Sequence, residues 1–199
     1  MKKRVVIATG NPGKAREFAK AFESANFEFC TQSDVGFSED VEENGSSFAE
    51  NAKIKALALV KFLKEKKISA TVIADDSGLE VTALDGAPGI HSARFAGVHG
   101  NSLANNEKLL RELQGKADRS ARFVSVLFIV SEDGSEHLVR GECRGRIIED
   151  FRGKEGFGYD PLFVPDGKSR TFAEMSLEEK QALSHRGKAI ENLKAANIL

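Results

Sequence analysis

The chain has 199 residues, 41% hydrophobic and 30% charged, enough apolar material for a sizeable core in one domain or two closely joined lobes and too much for a disordered chain. Its 29 basic and 30 acidic side chains leave a formal charge of -1, so attraction to polyphosphate must come from local clusters, and bulk nucleic-acid binding is disfavoured. Cys30 and Cys143 form neither a disulfide framework nor a metal knuckle. With no signal-peptide core in MKKRVVIATG and no apolar run near ~20 residues, a cytosolic chain without a membrane partner is expected.

In chain order, Arg4 to Ala8 read as a short buried strand, followed by the turn Gly10-Asn11-Pro12-Gly13 and then Ala15, Phe18, Ala19 and Phe22 at helical spacing. Phe27 to Thr31 suggest a second strand. Asp34, Glu39, Asp40, Glu42 and Glu43 then make an acidic loop, and Ser47-Phe48-Ala49-Glu50 has capping-box spacing ahead of a helix running to about Lys64. Thr71 to Ala74 form a β-rich run that ends at Asp75-Asp76-Ser77-Gly78, which sets the carboxylates at a strand end, and Leu79 to Ala83 can extend onward. Asn101 caps a helix carrying Leu103, Leu109, Leu110 and Leu113. Phe123 to Val130 and Glu136 to Glu142 flank Asp133-Gly134 as a hairpin, which Gly145 to Ile148 can extend. After the glycine-rich loop 153–161 come a short strand at 162–164 and a second capping box, Ser176 to Glu179, opening the C-terminal helical region. Strand–helix units at the front, a hairpin in the middle and helix at the end give an α/β class with a central mixed sheet flanked by helices rather than a purely doubly wound one.

Five segments can carry chemistry. In Thr9-Gly10-Asn11-Pro12-Gly13-Lys14, glycines between strand and helix let backbone N–H groups approach an anion, and Lys14 adds a charge; the P-loop spacing is absent, and an ordinary tight turn uses the same residues. Asp75 and Asp76 are adjacent in an extended segment, so they point to opposite sides and only one faces a given site. Such a carboxylate, with Glu42 or Glu43 from the acidic loop, suits Mg²⁺, which prefers one or two carboxylates plus phosphate oxygens; a solvated turn pair is the plain alternative. Lys53 and Lys55 face differently on their helix, so only one of them reaches a shared phosphate site.

The loop Gly156-Phe157-Gly158-Tyr159-Asp160-Pro161 sets an aromatic ring and a carboxylate between glycines, as a grip on a heteroaromatic base would, although a core Phe and a turn Asp fit the same pattern. Ser184-His185-Arg186-Gly187 interrupts the last helical pattern with donors for base carbonyls or phosphate. His91, His99 and His137 have no metal spacing, and no G-x-S-x-G is present.

Taken together, TGNPGK (9–14), SFAENAKIKA (47–56), ADDSGLEVTALDGAPGIHSARFAG (74–97), GFGYDPLF (156–163) and LSHRGKA (183–189) resemble the inosine triphosphate pyrophosphatase family across nearly the whole chain. The resemblance implies one domain over 1–199, elongated and two-lobed around a nucleotide cleft, acting as a homodimer. It also implies Mg²⁺-dependent hydrolysis of ITP, dITP and XTP to monophosphate and pyrophosphate, which clears deaminated purines from the nucleotide pool.

Matched residue by residue, Thr9, Gly10, Asn11, Pro12, Gly13 and Lys14 fall in the triphosphate loop with Lys55 as second cation. Asp76 matches the proton acceptor and metal-associated carboxylate, with Asp75 and Ser77 beside it. Glu42 is the preferred second ligand, with Glu43 and Asp75 as second choices. Phe157, Gly158, Tyr159 and Asp160 match the base loop, and Lys180, His185 and Arg186 the remaining nucleotide contacts. Arg186 or His185 can donate to the 6-carbonyl of hypoxanthine and xanthine and would stay unpaired against adenine. A pyrophosphatase for modified pyrimidine nucleotides and a nucleotide-binding regulator without turnover are the competing readings.

Overall fold

The computed structural model describes residues 3–23 and 27–199. Its regular elements are β1 (Lys3–Ala8), α1 (Pro12–Ala21), β2 (Phe27–Thr31), α2 (Phe48–Glu65), β3 (Thr71–Val81), α3 (Ser102–Glu112), β4 (Ser120–Val130), β5 (Glu136–Ile147), β6 (Phe163–Pro165), α4 (Leu177–Leu183) and α5 (His185–Ala195). The strands form one sheet in the order β2-β1-β3-β4-β5-β6. β1 runs parallel to β2 and β3, and β5 antiparallel to β6, so the expected α/β class with a mixed sheet flanked by helices holds.

The chain divides into two compact units, one of Met1–Asp76, Ser125–Arg140 and Ala189–Leu199, the other of Ser77–Val124 and Gly141–Lys188. In the first, strand alternation sorts side chains onto two faces. Val6, Ala8, Val72, Ala74, Phe128 and Val130 pack with Ala52, Ala56, Leu59 and Leu63 of α2. Val5, Ile7, Ile73, Leu127 and Ile129 pack instead with Phe18 of α1 and with Ala189, Ile190 and Leu193 of α5. Each helix buries one apolar stripe at the 3.6-residue period, which fixes which of its polar side chains come near the strand ends.

The second unit has its own core. Leu79, Val81, Leu109, Leu113, Phe123, Ile147, Phe163 and Phe172 form it. Phe123 lies edge-on to Phe163, centroids 4.7 Å apart, and Phe163 is 5.2 Å from Phe172. This aromatic cluster backs the loop that carries Phe157 through buried Tyr159 and Leu162.

Two expectations change. β3 does not stop before its aspartates but runs unbroken from Thr71 to Val81, because the polar side chains at 75 and 76 find partners and the ladder has no reason to end there. β5 is a single strand through Ile147 rather than two pieces. The expected interruption of the last helical pattern falls at Ser184, which closes α4, and His185, Arg186 and Gly187 open α5. Among the described residues, no helix is long and apolar enough to cross a membrane.

Candidate active site

The alternation that builds the first unit also separates its two aspartates. Asp75 follows Ile73 onto the α1 face, where the ammonium of Lys14, in the first turn of α1, lies 2.9 Å from its Oδ2. Ser125 follows the same rule on β4, preceding Leu127 and Ile129, and its hydroxyl donates to Asp75 Oδ1 at 2.6 Å. Asp76 follows Ala74 onto the α2 face. There Lys55 Nζ donates to its Oδ1 at 3.0 Å and also lies 3.2 Å from Glu43 Oε2. Lys53, two positions earlier, turns away to Glu136 on β5 at 2.7 Å.

The two carboxylates therefore differ in kind. Asp75 is fully buried with both oxygens engaged, the arrangement of an anchor. Asp76 is also buried, but its Oδ2 has no hydrogen-bond partner. Burial pushes the Asp76 carboxyl above the usual aspartate value; Lys55 and Lys14 pull it back, and Glu43 adds to the rise. Burial alone would lower Lys55, yet Asp76, Glu43 and Asp75 outweigh it and hold the ammonium above its ordinary value. A buried carboxylate with one oxygen fixed and the other unpartnered is set up to take a proton or a cation.

Of the acidic-loop glutamates, Glu43 comes to Lys55 while Glu42 is exposed, which reverses their order as ligand candidates. Mg²⁺ fits this donor set: two carboxylate groups converging on one lysine, one with an unpartnered buried oxygen, leave the remaining positions to phosphate and water. Among the described residues, no group of three or more His, Cys, Asp or Glu is arranged to hold a metal by itself.

In the loop before α1, Asn11 is the N-cap: its Oδ1 accepts from Gly13 N at 2.8 Å and Lys14 N at 3.2 Å, and its own N–H donates to Thr9 Oγ1 at 3.1 Å. Pro12 occupies the first helical turn and has no N–H to offer. Two of the amides expected to form a cradle are thus satisfied internally, which leaves Gly10, exposed, and Lys14 as the candidates for an anion contact.

The second unit assembles the other candidates. Asp160 Oδ2 accepts from Phe157 N at 2.8 Å and from Lys180 Nζ at 2.7 Å, closing the loop into a turn. Gly156 has φ +78°, and a Cβ there would fall 2.1 Å from Asp160 Oδ2, so only glycine allows this closure. Tyr159 points inward and donates its buried hydroxyl to the Ser92 carbonyl at 2.9 Å; Gly158 O accepts from Asn106 Nδ2 at 2.8 Å. With those four anchors the ring of Phe157 is the part left half-exposed. Lys180 Nζ lies 4.6 Å from its centroid and the Arg186 guanidinium carbon 5.9 Å. Arg186, almost wholly buried, also donates to Ser77 Oγ at 2.8 Å, and His185 stacks on Phe123 at 4.7 Å and 12°.

Sequence reasoning missed Ser125, Asn51, Ser92 and Asn106. Ser125 was visible as the one hydroxyl in the apolar run Phe123 to Val130, and Asn51 as an amide on the buried stripe of α2. Ser92 acts through its own backbone carbonyl and Asn106 through a side-chain amide that donates to the Gly158 carbonyl, and neither left a signal.

The sequence matches the Ham1 family over residues 5–196. A dITP/XTP pyrophosphatase of Clostridium perfringens is 45% identical over 195 residues, covering 96% of either chain. The Ham1 protein of Staphylococcus aureus superposes with a TM-score of 0.84 at 43% identity over 97% of both chains. A nucleoside-triphosphatase / dITP/XTP pyrophosphatase of Mycobacterium abscessus gives a TM-score of 0.73 at 42% identity, covering 96% of this chain and 98% of that one.

Proposed function

The chain belongs to the Ham1 family, and from that membership and the geometry of Asp76 we propose that it hydrolyses deaminated purine nucleoside triphosphates, dITP, ITP and XTP, to monophosphate and pyrophosphate. The observation that carries the chemistry is the buried Asp76 carboxylate, one oxygen held by Lys55 and the other without a partner. A binding-only protein has no use for such a costly group. Relatives named for dITP and XTP do not favour modified pyrimidines.

In this reading Asp76 accepts the proton of the water that attacks the α-phosphorus, its raised proton affinity bringing it closer to the working pH than an exposed aspartate. Lys55 fixes the carboxylate and supplies positive charge beside it. Lys14, anchored by Asp75, offers its charge to the leaving pyrophosphate together with the start of α1. Mg²⁺, held by Asp76 and Glu43, would neutralise phosphate oxygens and lower the pKa of bound water.

Base choice falls to the second unit: Phe157 offers a stacking plate, and Arg186 a donor for the 6-carbonyl that inosine and xanthosine carry and adenosine lacks. We also propose, from the family likeness, that the protein works as a cytoplasmic homodimer that cleanses the nucleotide pool.

The test is pyrophosphate release from XTP, dITP, ATP and GTP with and without Mg²⁺. Metal-dependent turnover of the first two and little of ATP is expected, while GTP, whose base also carries a 6-carbonyl, tests whether the 2-amino group is excluded as well. Equal turnover of all four would remove the base-selection role of Arg186, and no turnover of any would overturn the enzymatic reading.

A further inference from the structure

The acidic loop has no regular secondary structure over residues 38–45, yet Glu43 is delivered to Lys55. What holds it is the start of α2. Asn51 lies on the buried stripe of that helix, one turn before Lys55, so both side chains project from the same face. Its Oδ1 accepts from Gly45 N at 2.9 Å, two residues after Glu43. Gly45 is pressed so close that a Cβ would fall 2.7 Å from Glu50 Cβ and 2.8 Å from Asn51 Oδ1.

A third tie comes from Glu50. Rather than closing a capping box on Ser47, its carboxylate reaches Ser46, accepting from N at 2.7 Å and Oγ at 2.8 Å, while Ser47 Oγ alone caps Glu50 N. Asn51 is completely buried, and its Nδ2 has no hydrogen-bond partner. A side chain kept for stability alone would not carry an unsatisfied donor into the core when an apolar one of similar size could fill the space.

We propose that Asn51, against the bare backbone of Gly45, is a positioning residue that sets the register of the acidic loop and thereby selects Glu43 over Glu42 as the carboxylate facing Asp76. The inference rests on the metal-assisted reading above. Asn51 touches neither substrate nor metal; it acts through the loop, as groups that orient metal ligands do.

The experiment uses the full chain and Mn²⁺ as the metal probe, with free ion counted by electron paramagnetic resonance, alongside binding of inosine monophosphate as a reporter of the Phe157 loop. Asn51→Ala is expected to weaken Mn²⁺ binding about 10-fold or more, with the same loss in the Mg²⁺ concentration giving half-maximal turnover and unchanged monophosphate binding. Gly45→Ala attacks the contact from its other side and should reproduce that loss, the double variant being no worse than the poorer single. If Asn51→Ala does not fold, Gly45→Ala decides alone. Wild-type Mn²⁺ binding in the folded variants overturns the clamp and leaves the proposed function standing. Absence of Mn²⁺ binding by the wild-type protein overturns the clamp, which needs a site that the two carboxylates form on their own, whereas turnover indifferent to Mg²⁺ overturns the metal-assisted reading it rests on.

Discussion

In the first unit, two lysines from two helices meet two consecutive aspartates of one strand, each pair on its own face of the sheet. In the second, the corresponding buried pair, Asp160 with Lys180, is turned to a different use: it shuts a loop so that an aromatic ring is displayed. Both units bury charge, which is expensive unless it is compensated. Compensation is complete at Asp75, where both oxygens are engaged, and incomplete at Asp76, while at Asp160 one oxygen takes two donors. The contrast teaches that a buried carboxylate with both oxygens engaged serves architecture, whereas one with an orphaned oxygen marks where chemistry is expected.

The largest test of that contrast is Asp76→Asn. Loss of a proton acceptor lowers turnover by about 10²–10⁴-fold, and pyrophosphate release from XTP should fall by at least that much while nucleotide binding persists. Stability should hardly suffer, since the substitution removes a buried charge that burial disfavours. Turnover within a few-fold of wild type (on the order of one pK unit or less in barrier terms) would break the assignment of Asp76.

The neighbouring substitution is expected to behave the other way round. Asp75→Asn leaves Lys14 facing a neutral group in a nearly closed environment, and breaking such a pair costs about 3–5 kcal/mol. Urea unfolding should show a lowered midpoint with unchanged slope. Ser125→Ala, which removes one charge-assisted donor from the same carboxylate, should cost about 1–3 kcal/mol. If Asp76→Asn proved the more destabilising of the two aspartate changes, the division into anchor and acceptor would be wrong.

How far the sequence revealed this follows from where each residue lies. Alternation along β3 already required Asp75 and Asp76 to face opposite ways, and helical spacing already set Lys55 apart from Lys53, because both arguments need only local periodicity. The strand, however, was cut short at Asp75, since a run of polar residues looks like a break when their partners lie 50 and 61 positions away on β4 and α1. The choice between Glu42 and Glu43 was equally hidden. Their loop has no period, and its register depends on Gly45 meeting Asn51. Tyr159 read as a base contact because the sequence cannot show that Ser92, 67 positions earlier, offers its carbonyl.

In the second unit the comparison sharpens into recognition against affinity. Phe157→Leu removes a stacking surface every base can use, so KM should rise for XTP and dITP alike, by an amount corresponding to about 1–3 kcal/mol, with kcat kept. Arg186→Ala should instead narrow the XTP over ATP preference, by about 1–3 kcal/mol for one unpaired donor. Competition kinetics distinguish the two. An unaltered ratio in Arg186→Ala would return base selection to the loop.

The smallest effect concerns the exposed clamp next to the Phe157 loop, where Glu174 joins Arg152 at 2.7 Å to the Thr171 backbone N–H, also at 2.7 Å. Arg152 and the Thr171 amide hold its carboxyl at about 2, below the 4.5 of a free glutamate. A depressed pKa means the native chain binds the proton less readily than the unfolded one, so the clamp's contribution is complete above pH 4.5 and is lost as pH falls towards about 2. Because the pair is solvent-screened, the contribution is modest. Glu174→Gln should therefore be slightly less stable than wild type at pH 6, and the gap should close on acidification through that window. A gap that stayed constant down to pH 2 would show that the glutamate holds the loop by shape rather than charge, unlike the ion pairs buried in either unit.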